Sequence, residues 1–147
     1  PYVVAEPSLG VERAFLVFMF DSYIHDQKRG NVVLKLNPKL APVKVAVFPL
    51  VNKLEKEAKE VYNLLKNDFN CSYDKSGSVG RRYARNDEIG TPYCVTIDFD
   101  SLKKKDVTIR NRDNTRQIRI KAKELKETIR KLVNNEIKFE EAGKLIR

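Results

Sequence analysis

From Pro42 onward the chain alternates β-branched runs with amphipathic stretches, and this alternation restricts its fold more than any other feature. Val43 to Phe48 is nearly continuous in apolar and β-branched residues, the pattern of a buried strand, and Pro49 ends it. After Asn52, a helix-capping residue type, Leu54, Ala58, Val61 and Leu65 recur at i, i+4, i+7 and i+11, one apolar stripe of a helix. Asn70 to Asp74 reads as a second short strand. The Ser76-Gly77-Ser78 turn leads into an arginine-rich helix. From Pro92 to Phe99, Val95, Ile97 and Phe99 alternate with Thr96 and Asp98 as a third strand. Asp100 to Lys105 reads as a polar turn. Val107 to Arg110 and Gln117 to Ile120 make two more strands, and the turn residues Asn111-Arg-Asp-Asn114 join them as a hairpin. Ala122, Leu125, Ile129, Leu132 and Val133 line a last long helix, and Phe139 to Ile146 a short closing one. The order predicts an α/β domain with a mixed five-stranded sheet flanked by helices. Its strand–helix–strand start implies parallel strands joined by right-handed crossovers.

The residues before Pro42 read differently. Tyr2 to Val4 is strand-like, and Ser8 or Gly10 is placed to cap a helix. That helix, Val11 to Phe20, is apolar on all sides, as a buried helix is. Arg13 near its start needs a partner, since an unpaired buried charge is costly. Asp21 to Asn37 reads as the end of the helix, a loop at Gly30 and a short extended piece. His25, the only histidine, reads as a surface residue. Pro38-Lys-Leu-Ala-Pro42 is a linker by composition. The division is therefore 1–37, a linker at 38–42, and a domain at 43–147. The longest apolar run, Ala14 to Phe20, is far short of the ~20 residues of a membrane span. Nothing around it has the form of a signal peptide, so no membrane partner is expected. Cys71 and Cys94 stand far apart, with neither a zinc spacing nor a disulfide framework, and fit a reducing cytoplasm as core thiols.

The 29 Lys and Arg against 20 Asp and Glu leave a net charge of +9, which points to a polyanionic partner. The surplus is concentrated: Ser101 to Lys131 holds twelve basic and four acidic residues, net +8. Lys103, Lys104 and Lys105 suit phosphate contacts. Arg110, Asn111, Arg112, Asp113, Asn114 and Gln117 suit base edges, as in recognition of unstacked single-stranded RNA. A second cationic element is the helix Ser78 to Gly90, with Arg81, Arg82 and Arg85. There Arg81 and Arg85 share a face, and the competing reading is a salt-bridged helix held against the sheet.

These residues carry a resemblance. Glu6-Pro-Ser-Leu-Gly-Val-Glu-Arg13, followed by an apolar helix, resembles motif 3 of class II aminoacyl-tRNA synthetases, in the form found in glycyl-tRNA synthetases. Four further stretches resemble the anticodon-binding domain of the archaeal and eukaryotic type of that family. They are Ala41-Pro-x-Lys-Val, Ser78-Val-Gly-Arg-Arg-Tyr-Ala-Arg-Asn-Asp-Glu-Ile-Gly90, Val95-Thr-Ile-Asp-Phe-Asp100, and Val107-Thr-Ile-Arg-Asn-Arg-Asp113 through Arg116-Gln-Ile-Arg119. The resemblance implies a ligase that joins glycine to tRNA(Gly) through glycyl-adenylate, using ATP with Mg²⁺, as a cytoplasmic homodimer. It implies ATP phosphate at Arg13 and glycine at Glu6 and Ser8. It makes residues 1–37 the end of a catalytic domain and 43–147 an anticodon-binding domain. Motifs 1 and 2 are absent, so this piece alone is expected to be inactive, and no metal ligand is named in it. The alternatives are a non-catalytic RNA- or nucleic-acid-binding paralogue with the same domain fold, and a generic basic α/β module.

Overall fold

The structure is a computed structural model and describes Tyr2 and residues 4–146. The strand expected over residues 2–4 rests on Val3, which lies outside the described residues. Helix α1 (Val11–Ser22) leads into a two-stranded antiparallel hairpin, β1 (Tyr23–Asp26) and β2 (Asn31–Leu34). The remaining strands are β3 (Val45–Pro49), β4 (Cys71–Tyr73), β5 (Tyr93–Ile97), β6 (Asp106–Asn111), β7 (Gln117–Lys121) and β8 (Lys144–Ile146). They form one sheet in the order β4-β3-β5-β6-β7-β8, parallel across β4-β3-β5 and antiparallel from β5 outward. The helices are α2 (Glu55–Leu65), α3 (Val79–Glu88), α4 (Phe99–Lys104) and α5 (Leu125–Val133).

The mixed sheet thus has six strands where the sequence predicts five. The sixth replaces the closing helix expected over 139–146, of which only a single 3₁₀ turn (Phe139–Glu141) forms. Gly143 is the reason. A Cβ there would lie 2.4 Å from Ile120 Cγ2 and 2.9 Å from Arg119 O, so only glycine lets the chain come this close to β7 and pair as β8. The expected polar turn at 100–105 is a helix, α4, because Asp98 and Ser101 close a capping box at its start. The loop and extended piece expected over 21–37 are a hairpin.

Side chains alternate across the strands, so each sheet face is set by period two. One face carries Val45, Val47, Val95, Ile97, Val107, Ile109, Ile118 and Ile120. It packs on Leu54, Ala58 and Leu65, from the predicted α2 stripe, and on Leu125, Ile129 and Leu132 of α5. Each fully buried aliphatic side chain there contributes about 1.5–3 kcal/mol. The opposite face is smaller and mixed: Ala46, Phe48 and Cys94 pack against Tyr83 of α3. Helix α1 differs from expectation. It is helical, but Phe15 (64%), Val17 (63%) and Phe20 (75%) face outward.

The two cysteines are free. Burial pushes the Cys94 thiol up to about 12, and burial together with Asp68 pushes Cys71 up to about 11. The nucleophile is the thiolate, and its share at pH 8 falls with each such rise. Iodoacetamide at pH 8 is therefore expected to leave both thiols largely unmodified in the folded protein and to label both in urea. Rapid labelling of Cys94 without denaturant would contradict its placement beneath Tyr83.

Candidate nucleic-acid interface

The hairpin β6–β7 ends in a tip, residues 111–116, built from side-chain acceptors that replace missing backbone partners. Asn111 Oδ1 accepts from the Asp113 amide (2.7 Å), and Asn114 Oδ1 from the Arg116 amide (3.0 Å). Thr115 sits at φ 59°, a left-handed conformation seldom taken by a β-branched residue. Outside the hairpin, Arg29 of the β1–β2 turn reaches across to donate to Arg112 O (2.7 Å) and Asp113 O (2.9 Å).

The two arginines expected to read bases are not available at the surface. Arg110 is 7% exposed. It makes a two-point pair with Asp87 of α3 (2.8 and 2.9 Å) and lies 4.6 Å over the Tyr83 ring. Burial disfavours its charge, but the Asp87 bonds outweigh burial and hold its pKa above the ordinary value. Arg112 is 1% exposed. It donates through Nη1 to Gly90 O (2.7 Å), through Nη2 to Leu36 O (2.7 Å), and through Nε to Asp113 Oδ1 (2.8 Å). Both are structural groups because β6 turns its second face toward α3 and the N-terminal hairpin instead of solvent.

The arginine helix divides in the same way. Arg82 is buried and donates to Pro49 O and Gly77 O. Arg85 is exposed but paired with Asp74, and Arg81 is exposed. Ser78 caps the helix by accepting from the Arg81 amide. At its far end Gly90 holds φ +82°, and a Cβ there would come within 3.1 Å of Leu34 O. The helix therefore docks closely on β2, and these contacts span the 38–42 segment.

The exposed groups that remain are arranged along the hairpin. Asp113 is exposed at the tip and Gln117 half-buried beside it. Lys103, Lys104 and Lys105 are exposed at the opposite end of β6, about 17 Å away at ~3.4 Å per residue. Glu6, Ser8 and Arg13 lie exposed on and just before α1. None of those three makes an ion pair among the described residues. The described residues also include no group of three or more His, Cys, Asp or Glu able to hold a metal.

Sequence reasoning missed what surrounds the tip. Asn111, Asp113 and Asn114 line a cleft of about 640 Å³ together with Tyr93, Leu132 and the 135–141 segment. The tip and that segment are tied together, since Glu140 Oε1 accepts from Asn114 Nδ2 (3.2 Å) and Arg116 Nη1 (2.9 Å). Arg29 and the 135–141 segment carried no local signal, because their partners are remote in sequence.

The anticodon binding domain family matches residues 44–132. The chain is 48% identical over 136 residues to a glycine–tRNA ligase of Clostridium kluyveri, covering 90% of this chain and 29% of that protein. It is 53% identical over 128 residues to one of Acetivibrio thermocellus (85% and 28%). It is 56% identical over 122 residues to one of Caldanaerobacter subterraneus subsp. tengcongensis (82% and 26%). The chain thus spans under a third of the length of these relatives. All three are bacterial, so the archaeal and eukaryotic label finds no support in them.

Proposed function

The chain belongs to the anticodon-binding domain family, and on that footing we propose that it is the C-terminal part of a glycine–tRNA ligase, its own share being tRNA(Gly) recognition at the anticodon. The observation that carries this is the family match together with relatives that bear one enzyme's name over 82–90% of the chain. The surface agrees with it. Lysines 103–105 at one end of the β6–β7 hairpin supply sequence-independent phosphate contacts, and the tip at the other supplies base contacts. The separation suits a folded RNA loop and its stem.

In this reading residues 1–37 are the end of a catalytic domain, 38–42 the linker, and 43–147 the anticodon-binding domain. Glu6 offers a carboxylate to the glycine ammonium, Ser8 a hydroxyl to the same substrate, and Arg13 a guanidinium to ATP phosphate. The outward apolar face of α1 supports this, as the remainder of a ligase would cover it. No Mg²⁺ ligand is assigned within these residues. The homodimer belongs to the whole enzyme, and so does a cytoplasmic location. No described helix is long and apolar enough to cross a membrane.

A titration of the chain with tRNA(Gly) transcript tests the reading. It should bind more tightly than the same transcript with the second and third anticodon bases replaced; equal affinities would overturn it. Replacing Lys103, Lys104 and Lys105 together by alanine should weaken binding to both transcripts alike. It should also lower the slope of log K against log salt by about 2. A change in the ratio between transcripts would mean that these lysines read bases. ATP–pyrophosphate exchange should be absent from this chain alone, since motif 3 without motifs 1 and 2 offers Arg13, Glu6 and Ser8 but no complete site.

A further inference from the structure

Asp113 is an exposed acid in a basic hairpin, and it is held from three sides. Its amide donates to Asn111 Oδ1, its carbonyl accepts from Arg29 Nη2, and its carboxylate Oδ1 accepts from the buried Arg112 Nε. Surface carboxylates are seldom fixed this way, because ordering them costs entropy that an exposed ion pair does not return. Oδ2 has no partner among the described residues. Beside it opens the 640 Å³ cleft, whose 135–141 lining is tied to the tip through Glu140, so the space is formed before any ligand arrives. The strained Thr115 lies in the same turn, and strain of this kind collects where a site is pre-organised.

Resting on the RNA-binding reading above, we infer that Asp113 is a specificity-determining residue that selects an unstacked base bearing an exocyclic amino group, seated in the cleft between residues 111–114 and 135–140. An ionised carboxylate only accepts hydrogen bonds. It therefore favours the amino N–H of cytosine and opposes uracil, which places a carbonyl oxygen at the same position. The amides of Asn111, Asn114 and Asn135 supply donors for the ring nitrogen and carbonyl of such a base. Arg112 is a positioning residue: it aims the carboxylate and does not itself meet RNA.

The test uses stem-loops with the glycine anticodon, whose second and third bases are cytosines, and versions with each cytosine changed singly to uracil. Wild-type chain should prefer cytosine about tenfold or more at one of the two positions. Asp113→Asn keeps an oxygen for Arg112 Nε but can present an N–H to the base, so the turn should stand and the cytosine preference should collapse or reverse. Asp113→Ala should flatten it without reversal. Unchanged preference at both positions in Asp113→Asn, with an unchanged thermal midpoint, would overturn the inference alone. A wild-type chain that binds none of the loops would overturn the RNA-binding reading and this inference together.

Discussion

Asp87→Ala is expected to lower the stability of the fold by about 3–5 kcal/mol, measured as a shift of the urea unfolding midpoint. Asp87 is 1% exposed and serves two arginines: Arg110 at 2.8 and 2.9 Å, and Arg29 at 3.3 Å. Removing it leaves the Arg110 guanidinium buried under the Tyr83 ring without a counter-charge. A cation–π contact of about 0.5–2 kcal/mol does not replace a two-point carboxylate. Domains of this size are stable by only about 5–15 kcal/mol, so the variant sits near the threshold of folding. The loss measures the stranded charge, not the net worth of the pair. Asp87→Leu combined with Arg110→Met should therefore be more stable than Asp87→Ala alone, because desolvating a buried pair costs about as much as its attraction returns. If the single variant unfolds within 1 kcal/mol of wild type, the pair is open to water and the account of α3 docking fails.

Arg112→Ala should cost a similar amount, about 3–5 kcal/mol, for a different reason. Arg112 heads the fully buried side chains by volume, and its two Nη atoms are the side-chain donors to Leu36 O and Gly90 O. Truncation leaves a cavity and two carbonyls without that donor. It also cuts one of the links between the N-terminal hairpin and the sheet, so amides of β2 should lose hydrogen-exchange protection before those of β3 and β5. A residue that merely read a base would show neither effect. Arg112→Ala with wild-type stability and weakened base discrimination would restore the reading taken from sequence and contradict the buried one.

The difference between these two readings marks what a linear sequence can carry. The strand–helix alternation, the α2 stripe, the arginine-rich helix after the Ser76–Ser78 turn and the 111–114 turn were legible because their signals lie within one or two turns of chain. The number of strands was not, since β8 exists through an approach of Gly143 to β7 that only the folded chain brings about. Charge was legible as a total and misleading as a site. Arg110 has the same composition value whether it faces RNA or Asp87, and Asp87 lies 23 residues away in sequence. Arg112 finds Leu36 at a separation of 76. Asp113 stands beside the two arginines in the sequence, and becomes the more informative residue once Arg110 is seen paired with Asp87 and Arg112 holding the Asp113 carboxylate. The apolar run of α1 reads as buried from its pattern, whereas Phe15, Val17 and Phe20 are exposed in this chain.

In the proposed reading, the charge network displays the hairpin tip as the RNA-facing element. The direct measurement is the backbone amide NMR spectrum of the chain, titrated with a glycine anticodon stem-loop. Shifts and broadening should gather at 111–116 and 135–141, with a weaker set at 103–105, and the amides of α1 and α2 should stay in place. A response centred on α1 or on the exposed face of α3, with the tip unmoved, would contradict it.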